Sequence, residues 1–407
     1  MIKEDAQRII KEVIASALPD AAVARALEGK RFAGRVYLVA VGKAAWQMAH
    51  AAVAALDGRV EDGVVITKYG HAKGAIGQLR IREAGHPVPD ENSFAATREA
   101  LALTANLRAE DAVLFLLSGG GSALFEQPCI PEAELQDVTQ QLLACGADIV
   151  EMNTVRKRLS KVKGGRFGLH CAPAQVFSIV LSDIVGDPLD MIASGPAAAD
   201  ASTCAQALEI CKKYSLRLSQ DAREALRQET PKALPNVETV VTGSVRQLCT
   251  KAAEVCEALG YAPVILTDSL TCVAREAGRF LSAVARFHAP AKKPLAFIAG
   301  GETVVKLTGT GLGGRNQELA LAAAEGIAGL ENCALFSVGS DGTDGPTDAA
   351  GGYVDGGTQQ ALLAQNLRIA DVLMQNDAYH ALQACDGLIM TGPTGTNVND
   401  FAVLLLR

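Results

Sequence analysis

Short apolar, β-branched runs alternate along this chain with longer Ala/Leu/Glu-rich segments of helical period, and no other feature restricts its fold as tightly. Strands buried on both faces read as continuous apolar stretches, and a helix between successive strands makes them parallel. The pattern therefore predicts an α/β protein with helices covering mostly parallel sheet. The first unit is VYLVAV over 36–41, then Gly42-Lys43, then AAWQMAHAAVAAL; further strands are expected at 64–67, 113–117, 176–181, 237–241, 263–266, 295–299 and 334–338. At 407 residues the chain exceeds one ordinary core, so two domains are expected. KALPN, residues 232–236, separates a polar helix from a fresh strand and sets them at 1–235 and 236–407.

In open parallel sheets, ligands bind beyond the carboxyl ends of the strands. Five polar or glycine loops begin there: Gly42-Lys43, Ser118 to Ser122, Ser182-Asp183, Gly300-Gly301-Glu302 and Ser340-Asp341-Gly342. In SGGGS, the three glycines Gly119, Gly120 and Gly121 let backbone N–H groups approach an anion, with Ser118 and Ser122 as further donors. A tight packing turn is the alternative for that loop, as a solvated lysine is for Lys43. Arg156 and Lys163 belong to NTVRKRLSKVKGGRFG, which carries six cationic residues between Arg156 and Arg166. That segment reads either as a local attractor for polyphosphate or as a water-facing basic helix.

Asp183, Asp187 and Asp190 share one irregular loop, and Asp341, Asp344 and Asp348 another. Hard carboxylates on strand-end loops suit Mg²⁺, with Asp183 and Asp341 as the candidate ligands, or a base such as Asp187 that takes a proton from an alcohol; turn-forming aspartates are the alternative. A G-x-G-x-x-G at Gly309, Gly311 and Gly314 is a poor dinucleotide fingerprint, because the next strand-end acid, Asp341, is 27 residues on where about 20 is expected. Arg315, at the following helix start, suits a forked grip on phosphate or carboxylate. No Walker A motif occurs.

Composition narrows the partners. A net charge of −7 gives no general attraction for nucleic acid or anionic lipid, and the apolar runs are strand-sized, so neither nucleic acid nor membrane is expected. The start, MIKEDAQRIIKEVIASAL, has helical period instead of a secretory pattern, which predicts a cytoplasmic protein. Ten cysteines without a CxxC read as reduced core thiols.

VGKAAWQMA, SGGGSALF, NTVRKRLSKVKGGRFG, SDIVGDPLDMIASGP, GLGGRNQELALA, SDGTDGPTDAAGG, NDAYHAL and TGPTGTNVNDF occur in this order along nearly the whole chain. Together they resemble the class II glycerate kinases. The resemblance implies an N-terminal Rossmann-like α/β/α sandwich, a C-terminal MOFRL α/β domain and an active site in the interdomain cleft. It implies ATP with Mg²⁺ as cofactors, D-glycerate as the small-molecule substrate, and phosphorylation at the C2 hydroxyl to give 2-phosphoglycerate and ADP. The family's functional lysine and arginine fall on Lys43 and Arg315. Many relatives carry a hydroxypyruvate reductase label from tartrate-utilisation clusters, so an NAD(P)H-dependent hydroxypyruvate reductase is the rival and a non-catalytic anion sensor the third reading. A homodimer is compatible with all three.

Overall fold

The computed structural model describes residues 2–289 and 293–407, and the chain divides into two compact units. The N-terminal unit holds residues 23–181 and 187–242, and the C-terminal unit holds the chain up to Ala22, residues 182–186 and everything from Gly243 onward.

Six strands build the first sheet: β1 (Val36–Val41), β2 (Val60–Lys68), β3 (Arg80–Ala84), β4 (Ala112–Leu117), β5 (Gln175–Leu181) and β6 (Val237–Gly243). Their spatial order is β3-β2-β1-β4-β5-β6, the Rossmann order, with β2 and β4 both parallel to β1, β3 parallel to β2 and β5 parallel to β4. Every residue of β1 and β4 is buried, which is why VYLVAV and AVLFLL carry no polar alternation. The chain winds outward one way from β1 and the other way from β4. The loops leaving the carboxyl ends of these two strands therefore flank the switch point.

The second sheet contains β7 (Ala262–Leu270), β8 (Leu295–Gly301), β9 (Cys333–Gly339), β10 (Gly351–Asp355), β11 (Leu388–Ile389) and β12 (Asp400–Leu406), in the order β11-β10-β9-β12-β8-β7. It is mixed where mostly parallel pairing was expected. β7 runs parallel to β8, but β12 inserts antiparallel to both β8 and β9, and β10 is antiparallel to β9 and β11. The helices Ala274–His288 and Arg315–Ile327 pack with Phe297, Leu335 and Leu404 in one cluster; Ile298, Phe336 and Val403 point into the other. That alternation is the two-residue period of a sheet covered on both faces.

The expected boundary at 235/236 falls one strand early, since β6 completes the first sheet. The chain's start also differs from the expected grouping: Ile2–Ser16 buries Ile9, Ile10, Val13 and Ile14 against Leu248, Val255 and Tyr261 of the C-terminal unit. Asp5 accepts hydrogen bonds there from Tyr261 and Arg407 at 2.7 and 2.6 Å. Ten free cysteines divide between core and surface, with Cys171, Cys211, Cys249, Cys256 and Cys333 buried and Cys129, Cys145 and Cys272 exposed.

Candidate functional site

Two loops meet at the switch point of the first sheet. Gly42, at φ +122°, leaves β1 so close to the loop after β4 that a methyl group there would stand 2.2 Å from Ser118 Oγ and 2.5 Å from its carbonyl oxygen. The loops are stitched together: Ser118 N–H donates to Val41 O (2.9 Å), Lys43 N–H to Gly119 O (2.9 Å) and Ala44 N–H to Ser118 Oγ (3.1 Å). Ser118 thus joins two loops, and its hydroxyl is already committed as an acceptor. The backbone N–H groups of Gly119, Gly120 and Gly121 donate to no protein group among the described residues. The Lys43 side chain, half-buried beside them, likewise has no hydrogen-bond or ion-pair partner among the described residues.

Gly120 takes φ +91°, and its open side faces two neighbours: a methyl there would lie 3.0 Å from His86 Cδ2, 3.2 Å from His86 Nε2 and 3.4 Å from Lys43 Cγ. We expect Gly120→Ala to cost about 1–2 kcal/mol through its left-handed backbone alone and to displace the imidazole. Denaturation should register the first effect, and a fall in kcat/KM larger than the stability loss the second.

Behind the loop lies a second tier. Ser122 Oγ meets Ser194 Oγ at 3.1 Å, and Ser194 donates to Asn153 Oδ1 at 2.9 Å. Ala193 and Ser194 both adopt left-handed backbone, at φ 51° and 61°, a conformation costing about 1–3 kcal/mol per non-glycine residue and concentrated at functional sites. One helical turn beyond Asn153, Arg156 is half-buried; its Nε is enclosed without a partner, and its guanidinium makes no hydrogen bond among the described residues.

The other cations of that basic segment are internal. Lys157 pairs with Asp190 and Asp200 at 3.0 and 3.2 Å, Arg158 with Glu229 at 3.2 Å, and Arg166 donates to the carbonyls of Arg158 and Ser160. Lys163, expected as a phosphate ligand, is fully buried; it pairs with Glu126 at 2.7 Å and donates to the carbonyls of Ser122 and Phe125 at 2.9 and 3.0 Å. It supports the glycine loop from beneath and has no donor left for a ligand. Neither a polyphosphate attractor nor a water-facing helix describes the segment: only Arg156 and the exposed Lys161 stay outside this internal network.

In the C-terminal unit, a cavity of about 870 Å³ is lined by Asp183, Glu302, Val304, Leu307, Gly314, Arg315 and neighbouring residues. Arg315 makes the forked contact its geometry suits, through Nε and Nη2 to Asp400 at 2.5 and 3.2 Å, and reaches Glu302 at 3.1 Å. Burial alone would lower its pKa, but Asp400, Glu302 and Asp344 outweigh that and hold the guanidinium above its ordinary value. Asp344, almost wholly buried, accepts the N–H groups of Asn316 and Gln317 at 3.1 and 2.8 Å and so occupies the start of the helix Arg315–Ile327. Burial pushes Asp344 up to about 6 against those N–H groups.

The G-x-G-x-x-G glycines serve packing here. Gly309 and Gly311 leave room for the Gln375 backbone, Gly314 for the Asp344 carboxylate, and Asn376 Oδ1 accepts the N–H groups of Thr308 and Gly309. A 13-residue loop separates β8 from that helix, whereas a dinucleotide fingerprint turns directly from strand to helix.

The expected magnesium pair is not assembled as a cage. Asp341 accepts the N–H of Thr343 in its own turn at 3.0 Å, Asp183 lies on the cavity wall, and no group of three His, Cys, Asp or Glu suited to a metal occurs among the described residues. Asp187, the expected base, sits half-buried at φ 52° and belongs to the N-terminal unit, whereas Asp183 belongs to the C-terminal unit. His86, Asn153 and Ser194 were not singled out by sequence; the Gly-His-Pro-Val-Pro run around His86 was the available signal.

Fold and site define a two-unit α/β protein whose N-terminal sheet has the Rossmann strand order, with Lys43 and the backbone N–H groups of Gly119 to Gly121 at its strand-end loops free of protein partners among the described residues. A family model described as a domain of unknown function, DUF4147, matches residues 5–227, and the MOFRL family model matches residues 295–400. D-glycerate 2-kinase of Thermotoga maritima is 51% identical, covering 100% of this chain and 98% of the relative; glycerate 2-kinase of Pyrococcus horikoshii is 39% identical, covering 100% and 97%. A 2.70 Å crystal structure of glycerate kinase from Thermotoga maritima superposes with a TM-score of 0.96 at 50% identity, covering 100% of this chain and 99% of that one. The chain belongs to the glycerate 2-kinase family, which joins a DUF4147 domain to a MOFRL domain.

Proposed function

We infer that this protein phosphorylates the C2 hydroxyl of D-glycerate with ATP, releasing 2-phosphoglycerate and ADP. The observation that carries the reading is the full-length likeness, at 51% identity, to a D-glycerate 2-kinase. The geometry is consistent with it, because phosphoryl transfer asks chiefly for alignment and charge stabilisation. The N-terminal unit offers Lys43, Arg156 and the N–H groups of Gly119 to Gly121 for glycerate's carboxylate and the transferring phosphoryl. The C-terminal unit offers a cavity of nucleotide size with apolar residues such as Val304 and Leu307 for a base, and Arg315 for phosphate. Mg²⁺ would enter with the nucleotide and neutralise phosphate charge; the described residues do not form a cage for it. A cytoplasmic location would supply the ATP. Among the described residues no helix is long and apolar enough to cross a membrane.

A nicotinamide-dependent reductase would need Gly309 to Gly314 for its cofactor, and there the backbone of Gln375 and the carboxylate of Asp344 fill the space beside the glycines. Arg315 tests the kinase reading. A lysine cannot reproduce its fork, so Arg315→Lys should lower kcat/KM for ATP by about 10- to 100-fold, and Asp400→Asn, which frees the fork, by less. Steady-state kinetics with ATP varied would check both, and an unchanged Arg315→Lys enzyme would remove Arg315 from the site.

A further inference from the structure

We propose that His86 is the base that takes the C2 hydroxyl proton of glycerate, acting through Nε2 from its place between Gly120 and Lys43. This rests on the kinase reading and names the residue that completes it.

Three observations on the N-terminal unit carry the assignment. The His86 ring lies over the open side of Gly120, with Nε2 nearer than 3.5 Å to the space a Gly120 methyl would fill and Lys43 bordering the same space. The ring is half-buried, yet neither nitrogen has a hydrogen-bond partner among the described residues, whereas His71 nearby is bound to Lys43 O at 3.1 Å. The His86 imidazole faces a loop whose N–H groups and lysine also lack protein partners among the described residues, and the ring and the lysine border the same space beside Gly120.

Its surroundings favour the neutral form a base needs. The charged groups facing it are Lys43 after β1, Lys68 at the end of β2 and His71 in the next turn; burial first, then these neighbours, lower its pKa below the ordinary imidazole value. The acid on its own segment, Asp90, is engaged by Tyr69 at 2.6 Å and by Ser93 at 3.0 Å. With its proton on Nδ1, His86 has a free pair on Nε2. In the step, the C2 oxygen bonds to the γ-phosphorus while the bond from that phosphorus to the β,γ-bridging oxygen breaks, its electron pair leaving with ADP. The hydroxyl proton passes to Nε2 and later to water. Lys43 stabilises the phosphoryl charge without competing for the proton.

The test is the pH profile of kcat for the full-length enzyme with D-glycerate and ATP·Mg²⁺. Wild type should lose kcat on an acid limb below pH about 6.5. His86→Gln should lower kcat by about 10²- to 10⁴-fold and abolish that limb, with KM for ATP within about threefold. A wild type that makes no phosphoglycerate would sink the kinase reading itself; an active wild type with His86→Gln retaining both kcat and the limb would sink only His86. If Asp187→Asn, and not His86→Gln, abolishes the limb, the base is Asp187 and the proposal is overturned. Should His86→Gln misfold, the imidazole signals of wild type decide: the proposal requires one histidine titrating below pH 6.5 to shift upward when glycerate binds, and no such shift overturns it.

Discussion

Lys43→Ala should lower kcat by about 10²- to 10³-fold, the loss typical of removing one preorganised charge from a phosphoryl or oxyanion site. The same change should leave stability within about 0.5 kcal/mol of wild type. The two expectations belong together, because the ammonium has no protein partner among the described residues and its loss breaks no hydrogen bond or ion pair. Removal should also relieve His86 of a repelling neighbour and let its pKa rise, which histidine NMR would follow. Arg315 is the contrast. It holds Asp400, whose carboxyl burial pushes up, so Arg315→Ala should lower both activity and stability. A Lys43→Ala enzyme with full activity, or one that unfolds, would refute the role given to Lys43.

The second large effect is on stability. Lys163→Met should destabilise the N-terminal unit by about 3–5 kcal/mol, because it leaves the buried Glu126 carboxylate without its ion-pair partner. Lys163→Met combined with Glu126→Leu should recover most of that loss, since an apolar pair of similar volume replaces the ions without the desolvation cost. Burial pushes the Lys163 ammonium down to about 8, with Glu126 opposing and Arg156 adding to the fall. The unfolded lysine titrates near 10.4, so between about pH 8 and 10.4 the folded state binds fewer protons and stability rises with pH. Below about pH 8 the full cost of the buried charge is present. Urea denaturation at pH 7, 8.5 and 10 would show this rise in wild type and its loss in the double variant. A single variant as stable as wild type would mean the ammonium is solvated and free for a ligand after all.

The first sheet was legible because its strands are buried on both faces: VYLVAV and AVLFLL admit little else, and the loops after them, Gly42-Lys43 and Ser118 to Ser122, were two of five candidate ligand loops. The glycine loop and Lys43 were candidates by that rule, beside a packing turn and a solvated lysine as alternatives. The antiparallel insertion of β12 was not legible, since FAVLLL reads the same in either direction and pairing direction depends on partners remote in sequence. The allegiance of Ile2–Ser16 was hidden for a related reason: its apolar face records that a partner exists without saying which. Lys163 misled because a basic run looks the same whether it meets phosphate or its own buried carboxylates, and the burial of Glu126 is a tertiary fact. His86 escaped notice because one histidine between glycine and prolines has no spacing partner in sequence; the Gly120 loop supplies its context in space.

Phosphorylation at C2 is read out by incubating the protein with D-glycerate, ATP and Mg²⁺ in the presence of enolase, without phosphoglycerate mutase, and following phosphoenolpyruvate. Enolase accepts 2-phosphoglycerate, so phosphoenolpyruvate should accumulate in step with ADP. ADP without phosphoenolpyruvate would move the phosphate to C3, and no turnover here alongside NADH loss with hydroxypyruvate would contradict the account outright.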